Sequence, residues 1–207
     1  RKQAYLVIDK IQPLSVRPML LSFIPELLKS EVEIQYTFQI FEALITAWIQ
    51  RERGYTFPDE FRKISELLAV DLYINREKRG MERVSYDELL GLSKIWGITL
   101  NDWQITSRSL LNRDSQGNYK FSHRSFMEYL FITSLLNNNE NCYGVILTPQ
   151  MVSFLTEMLS IKFPSILSIT NLFNSAHVVI INNKRDSIKA WPTAHIENLP
   201  PIELELL

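Results

Sequence analysis

The positions of apolar residues predict two amphipathic helices near the start of the chain. Apolar side chains recur every three or four residues after Pro18, and again from residue 31 to residue 53. This spacing places them on one face of an α-helix. Pro18 suits a first helical position, because its missing N–H would have no helical partner there, whereas Pro25 should interrupt the first helix. Gly54 should end the second helix.

Three further helices are predicted in the middle of the chain. Residues 58–75 keep the helical period, and Ser85 with Glu88 has the spacing of a capping box, which opens the next helix. The third helix is predicted over residues 99–111. The charged residues at 76–83 lie between the first two of these helices, and their polarity predicts a solvated loop.

A β-hairpin and another helix are predicted to follow. Short apolar runs flank a polar turn at residues 116–118, as in two paired strands. The helical period then runs over residues 125–136 and stops at three consecutive asparagines. Beyond them, residues 149–161 are predicted to be helical and residues 177–181 have strand character.

The order of these elements predicts a mainly α protein. Helix, helix, helix, hairpin and helix is the order of a winged-helix domain, in which the short hairpin is the wing. We therefore expect a small helical domain at residues 1–54, a winged-helix domain at 55–140, and a helical and extended region at 141–207. The last region is either a helical linker or the start of a C-terminal sensor or repeat region.

Composition and charge narrow the functional classes. The 207 residues are 46% hydrophobic and carry a net charge of −1, so no overall field attracts nucleic acid or anionic lipid. Cys142 is the single cysteine, which excludes an intrachain disulfide and fits a reducing compartment. No apolar run reaches the roughly 20 residues that cross a bilayer. The chain begins with Arg1, without a signal-peptide pattern, so we expect a cytoplasmic piece of a longer protein.

The most informative stretch is the helix start at Ser122 and His123. Unpaired N–H groups and the positive end of the helix dipole suit such a place to an anion such as phosphate, and His123 could add a donor. A simpler interpretation makes Ser122 the N-cap and His123 an ordinary surface or core residue. Glu128, one turn later, is predicted to be a surface acid that pairs with Arg124.

Two segments resemble one family. Residues 121–130, Phe-Ser-His-Arg-Ser-Phe-Met-Glu-Tyr-Leu, resemble the winged-helix end of NACHT-type STAND NTPases, where Phe-x-His-x-Ser-Phe-x-Glu-Tyr-Leu is typical. Residues 17–21 and the helix to residue 53 are similar to the helical domain of the same proteins. The resemblance implies that Pro18 packs near the adenine of ADP and that His123 touches its phosphate in the autoinhibited form. Ser122 is a candidate second phosphate contact.

The resemblance implies a regulatory fragment rather than an enzyme. The sequence has no Gly-x-x-x-x-Gly-Lys-Ser/Thr phosphate loop and no apolar strand ending in paired acids, so this chain alone should not hydrolyse ATP. The parent protein would bind ADP or ATP with magnesium through an N-terminal nucleotide-binding domain and carry a C-terminal sensor domain. It would act in signal transduction and form homo-oligomers on activation. The sequence does not distinguish between innate immunity, antiviral defence and transcriptional control as the process in which the parent protein acts.

Two alternatives belong to other classes. A winged helix can bind DNA through its third helix, and Asn101, Gln104 and Arg108 share one face there, although Asp102 and the neutral net charge oppose binding. We therefore expect nucleic acid not to be the partner. A stand-alone enzyme has less support, because the remaining histidines, at 177 and 195, have no nucleophile or metal-ligand motif near them. No metal site is expected.

Overall fold

The computed structural model describes residues 34–52, 58–98, 110–162, 178–183 and 187–192, and within these ranges the chain is mainly helical, as predicted. The helices are α1 (Thr37–Glu52), α2 (Pro58–Ile74), α3 (Arg76–Arg79), α4 (Tyr86–Ile95), α5 (Arg124–Leu136), a 3₁₀ helix (Glu140–Cys142) and α6 (Pro149–Lys162). The strands are β1 (Leu111–Arg113), β2 (Tyr119–Phe121), β3 (Ile146–Leu147), β4 (Val178–Asn183) and β5 (Ser187–Pro192).

The chain divides into two compact units, residues 1–61 and residues 62–207. In the first unit, α1 buries the predicted apolar face, including Phe41, Ile45 and Ile49. The helix begins at Thr37 rather than at the predicted residue 31. The side chain of Gln39 explains part of this difference, because its Oε1 accepts hydrogen bonds from the backbone N–H groups of residues 35 and 36 just before the helix.

Helix α5 is the centre of the second unit, since ten of its thirteen residues are buried. The ring of Phe131 meets the ring of Tyr73 from α2 edge-on, with centroids 5.1 Å apart, and Tyr129 meets Phe154 from α6 in the same way at 5.8 Å. Burial raises the pKa of Tyr73, whose hydroxyl donates to the carbonyl oxygen of Ile146 at 2.8 Å. Helix α5 is therefore fixed from both sides.

The charged segment at residues 76–83 is only partly the predicted solvated loop. Residues 76–79 form the helical turn α3, which ends at Gly80 in the left-handed conformation, with φ 70°. Arg79 contacts the carboxylate of Asp71 on α2 at 2.6 Å and that of Glu88 on α4. Partial burial lowers the pKa of Arg79, but the hydrogen bonds to both carboxylates outweigh it, so the pKa lies above its usual value. This arginine links two helices instead of facing solvent.

The start of α4 confirms half of the predicted capping box. The hydroxyl of Ser85 accepts a hydrogen bond from the backbone N–H of Glu88 at 3.2 Å. The carboxylate of Glu88, which would complete the box, contacts Arg79 instead.

The hairpin is confirmed, with Leu111 opposite Phe121 and Arg113 opposite Tyr119. Leu111 lies in β1, so the predicted helix at 99–111 does not extend to its last residue; residues 99–109 lie outside the described ranges. Val84 forms an isolated antiparallel bridge to β2, because it exchanges backbone hydrogen bonds with Tyr119 at 2.7 and 3.0 Å. Gly117 has φ 86°, a conformation that favours glycine in the turn.

Asp114 fastens the turn of the hairpin. Its carboxylate accepts hydrogen bonds from the backbone N–H groups of Gln116 and Asn118, both at 2.9 Å, and from Arg83 at 2.7 Å. Partial burial alone would raise the pKa of Asp114, but these donors outweigh it and hold the pKa below its usual value. Two neighbouring residues therefore contact the hairpin: Arg83 through Asp114, and Val84 through Tyr119.

The C-terminal region combines helix α6 with a small sheet. Helix α6 confirms the prediction over 149–161, and β4 confirms strand character that begins near residue 177. Strand β5 was not predicted; it lies between β3 and β4 and pairs antiparallel with both. Within the part of the chain that is described, no helix has the length and apolar character needed to cross a membrane.

Cys142 offers a test of the packing around α5. Its side chain is fully buried, its thiol lies 3.9 Å from the carbonyl oxygen of Phe131, and burial raises its pKa to about 12. We expect a disulfide reagent near pH 8.5, where a free thiol is about half ionised, to react quickly only after unfolding. Because the unfolded thiol ionises first, the free energy of unfolding should fall as the pH rises from 9.0 toward 12. Rapid reaction of the folded protein would contradict the burial of Cys142.

Candidate functional site

His123 is the N-cap of α5. Its backbone is extended, with φ −144° and ψ 136°, and its Nδ1 atom accepts a hydrogen bond from the backbone N–H of Ser125 at 3.1 Å. The imidazole thus takes one of the donors that a helix start leaves unpaired. The assignment of the cap to Ser122 is therefore wrong, and a structural role for His123 is present in the form of the cap itself.

The cap determines which nitrogen of His123 carries the hydrogen. An acceptor needs a lone pair, so Nδ1 is unprotonated, and the hydrogen of the neutral imidazole lies on Nε2. The ring is half-buried and meets the ring of Phe126 edge-on, with centroids 6.3 Å apart. The cap and the aromatic contact together fix the orientation of the Nε2–H donor.

This histidine lines a cleft of about 370 Å³ between the hairpin and the segment that precedes Val84. Three basic residues, Arg83, Lys120 and Arg124, line the same cleft, together with the carboxylate of Glu82. Met81 and Met127 supply apolar surface. Positive charge, an imidazole donor and a helix N-terminus suit an anion.

Arg124 lies between two carboxylates. Its Nη2 atom is 2.8 Å from the carboxylate of Glu82, and its Nε atom is 3.6 Å from that of Glu128, as the sequence predicted for the second pair. Glu128 is nevertheless buried, at 6% exposure, and not the predicted surface acid. Burial is tolerated because Glu128 also accepts a hydrogen bond at 2.9 Å from the hydroxyl of Thr148, which accepts from the Met151 N–H at the start of α6.

Ser122 has a hydroxyl without a hydrogen bond. Its backbone N–H donates to the carbonyl oxygen of Leu110 at 2.9 Å, but its Oγ is buried and bonds to no described residue. A buried polar atom without a partner costs stability unless something satisfies it. Ser122 also lines the cleft, so it remains a candidate contact for an anion.

The other predicted site residues are not brought to this cleft by any described contact. Pro18 lies outside the described ranges, as do Asn101, Gln104 and Arg108 of the DNA-binding alternative. Among the described residues, no group of three histidine, cysteine, aspartate or glutamate side chains could hold a metal ion.

Sequence reasoning missed most of the cleft. Glu82 and Arg83 were assigned to a solvated loop, although both line the cleft beside His123. The sequence did contain a signal for Lys120. It stands between the buried Tyr119 and Phe121, so the alternation of side chains along a strand predicts that it is exposed on the opposite face. The pairing of Val84 with Tyr119, which builds the second wall, left no local signal.

No protein-family model, curated protein or solved structure matches the chain. Within the described residues, the chain is mainly helical and has a cleft at the start of α5 that three basic side chains line.

Proposed function

We propose that this chain is the regulatory part of a NACHT-type STAND NTPase, in which it acts as a latch that senses bound ADP. The observation that carries the proposal is the oriented Nε2–H of His123 within a basic cleft. The order of α2, α4, hairpin and α5, with Val84 pairing at the hairpin edge, supports a winged-helix domain in residues 55–140.

The latch works through a contact that exists in only one state. When the winged helix folds back on a nucleotide-binding core outside this chain, His123 donates to a phosphate oxygen of ADP, and Ser122 is a further donor. Pro18 lies near the adenine, as the family resemblance suggests. A ligand shifts a conformational equilibrium only through such differential contacts. Exchange of ADP for ATP removes them, and the opened protein oligomerises.

The size of this effect can be bounded. A hydrogen bond to a charged group contributes about 1.5 to 3 kcal/mol, which corresponds to a factor of about ten to a hundred in an equilibrium constant. Moving a population from 1:99 to 99:1 needs a factor of about 10⁴. His123 alone is therefore insufficient, and the neighbouring Lys120 and Arg124 must contribute.

In this proposal the chain contributes no catalytic residue. ATP hydrolysis, with magnesium, belongs to a phosphate loop in the nucleotide-binding domain outside these 207 residues. A cytoplasmic location and a C-terminal sensor domain are parts of the same proposal. The DNA-binding alternative gains no support from the cleft, since its recognition residues lie outside the described ranges. Salt-dependent duplex binding that is lost in Arg108→Ala would favour that alternative instead.

Nucleotide retention tests the proposal. The longer protein should be purified without added nucleotide, denatured, and its released nucleotides identified and counted by chromatography. We expect about one ADP per chain, because a closed latch covers its ligand and slows release. A longer protein that has no phosphate loop, or one that retains no nucleotide and binds none when ADP is added, would overturn the proposal.

A further inference from the structure

One carboxylate in the cleft, that of Glu82, is paired with a basic side chain of the same cleft that could otherwise bind an anion. Glu82 contacts the Nη2 atom of Arg124 at 2.8 Å, and both residues line the cleft beside His123. The side chain of Arg124 is 53% exposed and that of Glu82 is 26% exposed, so solvent and ligands reach the pair. This ion pair is more exposed than the pair of Arg79 with Asp71, whose side chains are 14% and 16% exposed.

A phosphate at His123 would compete for the same guanidinium. Arginine binds phosphate through the planar fork of donors that also binds a carboxylate. The Nε atom of Arg124 faces the buried Glu128, so the Nη2 atom is the donor that a phosphate in the cleft can take over. Before it does so, the carboxylate of Glu82 must leave, and until then its negative charge repels the phosphate.

We propose that Glu82 is a specificity-determining residue of this cleft: an internal competitor that holds Arg124 in the empty site and sets how strongly a phosphate must bind to displace it. The inference rests on the proposed function in taking the anion to be the phosphate of ADP. With Glu82 present, every phosphate must displace the carboxylate, so weakly held anions such as single phosphate ions are disfavoured, while a diphosphate held at several points keeps enough affinity to displace it. The empty cleft keeps its arginine neutralised.

Substitution of Glu82 in the complete 207-residue chain tests this role, with inorganic pyrophosphate as the probe. Binding is followed through the amide resonance of Ser125, which donates to His123. Exposed ion pairs are worth up to about 1 kcal/mol, so Glu82→Gln should tighten pyrophosphate binding about two- to fivefold. Glu77→Gln is the matched control, because Glu77 is an exposed acid of α3 outside the cleft and its loss changes the net charge equally.

A second substitution isolates the pair. In an Arg124→Gln background, the gain from Glu82→Gln should be clearly smaller, because the arginine that Glu82 occupies is absent and only the relief of charge repulsion remains. An unchanged affinity in Glu82→Gln, an equal gain in Glu77→Gln, or a gain that is undiminished without Arg124 would each overturn the role of Glu82. Failure of pyrophosphate to bind either the original chain or Glu82→Gln would also overturn it. The latch itself is judged separately, by retention of ADP in the longer protein.

Discussion

Replacing Phe131 with alanine should destabilise the second unit more than any other change proposed for this chain. Phe131 is fully buried, and its ring packs against Tyr73. Truncating a buried phenylalanine costs about 3 to 5 kcal/mol, through lost apolar burial and the remaining cavity. Because small domains are stable by only about 5 to 15 kcal/mol, the variant should lose a large part of its free energy of unfolding. Urea unfolding followed by tryptophan fluorescence measures the cost.

Phe131→Leu is the matched control, since it keeps most of the apolar volume and removes only the aromatic contact. It should cost less than half as much as Phe131→Ala. If the alanine variant lost less than about 0.5 kcal/mol, the range of ordinary surface changes, α5 would not be the central helix of this unit.

The largest functional effect is expected for His123→Asp in the longer protein. Aspartate is as good an N-cap as any residue, so it should accept from the Ser125 N–H as His123 does and preserve α5. It cannot donate to a phosphate and instead repels it. Loss of one hydrogen bond to a charged group corresponds to about ten- to hundredfold faster ADP release. Release is measured by chasing labelled ADP with unlabelled nucleotide.

His123→Ala separates the two roles of this residue. It removes the cap as well as the donor, so it should lower the stability of the 207-residue chain by about 1 kcal/mol. Both variants should release ADP faster, but only the alanine variant should unfold more easily. Faster release that appeared only in the less stable variant would reduce His123 to a structural cap.

The sequence predicted those elements that depend on local chemistry. The turn around Gly117 and the apolar residues beside it were enough to predict the hairpin, and three asparagines were enough to predict the end of α5. The hydroxyl of Ser85 opens α4 as its spacing with Glu88 indicated. In each case the determining residues lie within a few positions of one another.

The remaining features depend on contacts between distant residues. Arg79 looked like part of a solvated loop because its partners, Asp71 and Glu88, lie eight and nine positions away. Strand β5 pairs along its whole length with β4 in a local hairpin that was not predicted from the sequence, whereas its second pairing, with β3 about forty positions earlier, leaves no local period to detect.

The cleft itself was predicted only in part. His123 was identified from its place at a helix start, and the structure puts it there with its Nδ1 atom engaged. Its basic neighbours Lys120 and Arg124 lie within three positions of it, whereas Arg83 comes from a distant segment that the pairing of Val84 with Tyr119 brings to the hairpin. The choice of His123 rather than Ser122 as the cap depends on side-chain geometry, because residue-type preference alone favours the serine.

The central claim is tested most directly by a structure of the longer protein with ADP bound in its resting state. The account predicts a phosphate oxygen of ADP about 2.7 to 3.2 Å from the Nε2 atom of His123, the ordinary length of such a hydrogen bond. Arg124 should then have turned from Glu82 toward the same phosphate. A bound ADP whose phosphates contact none of the side chains in this cleft would contradict the account.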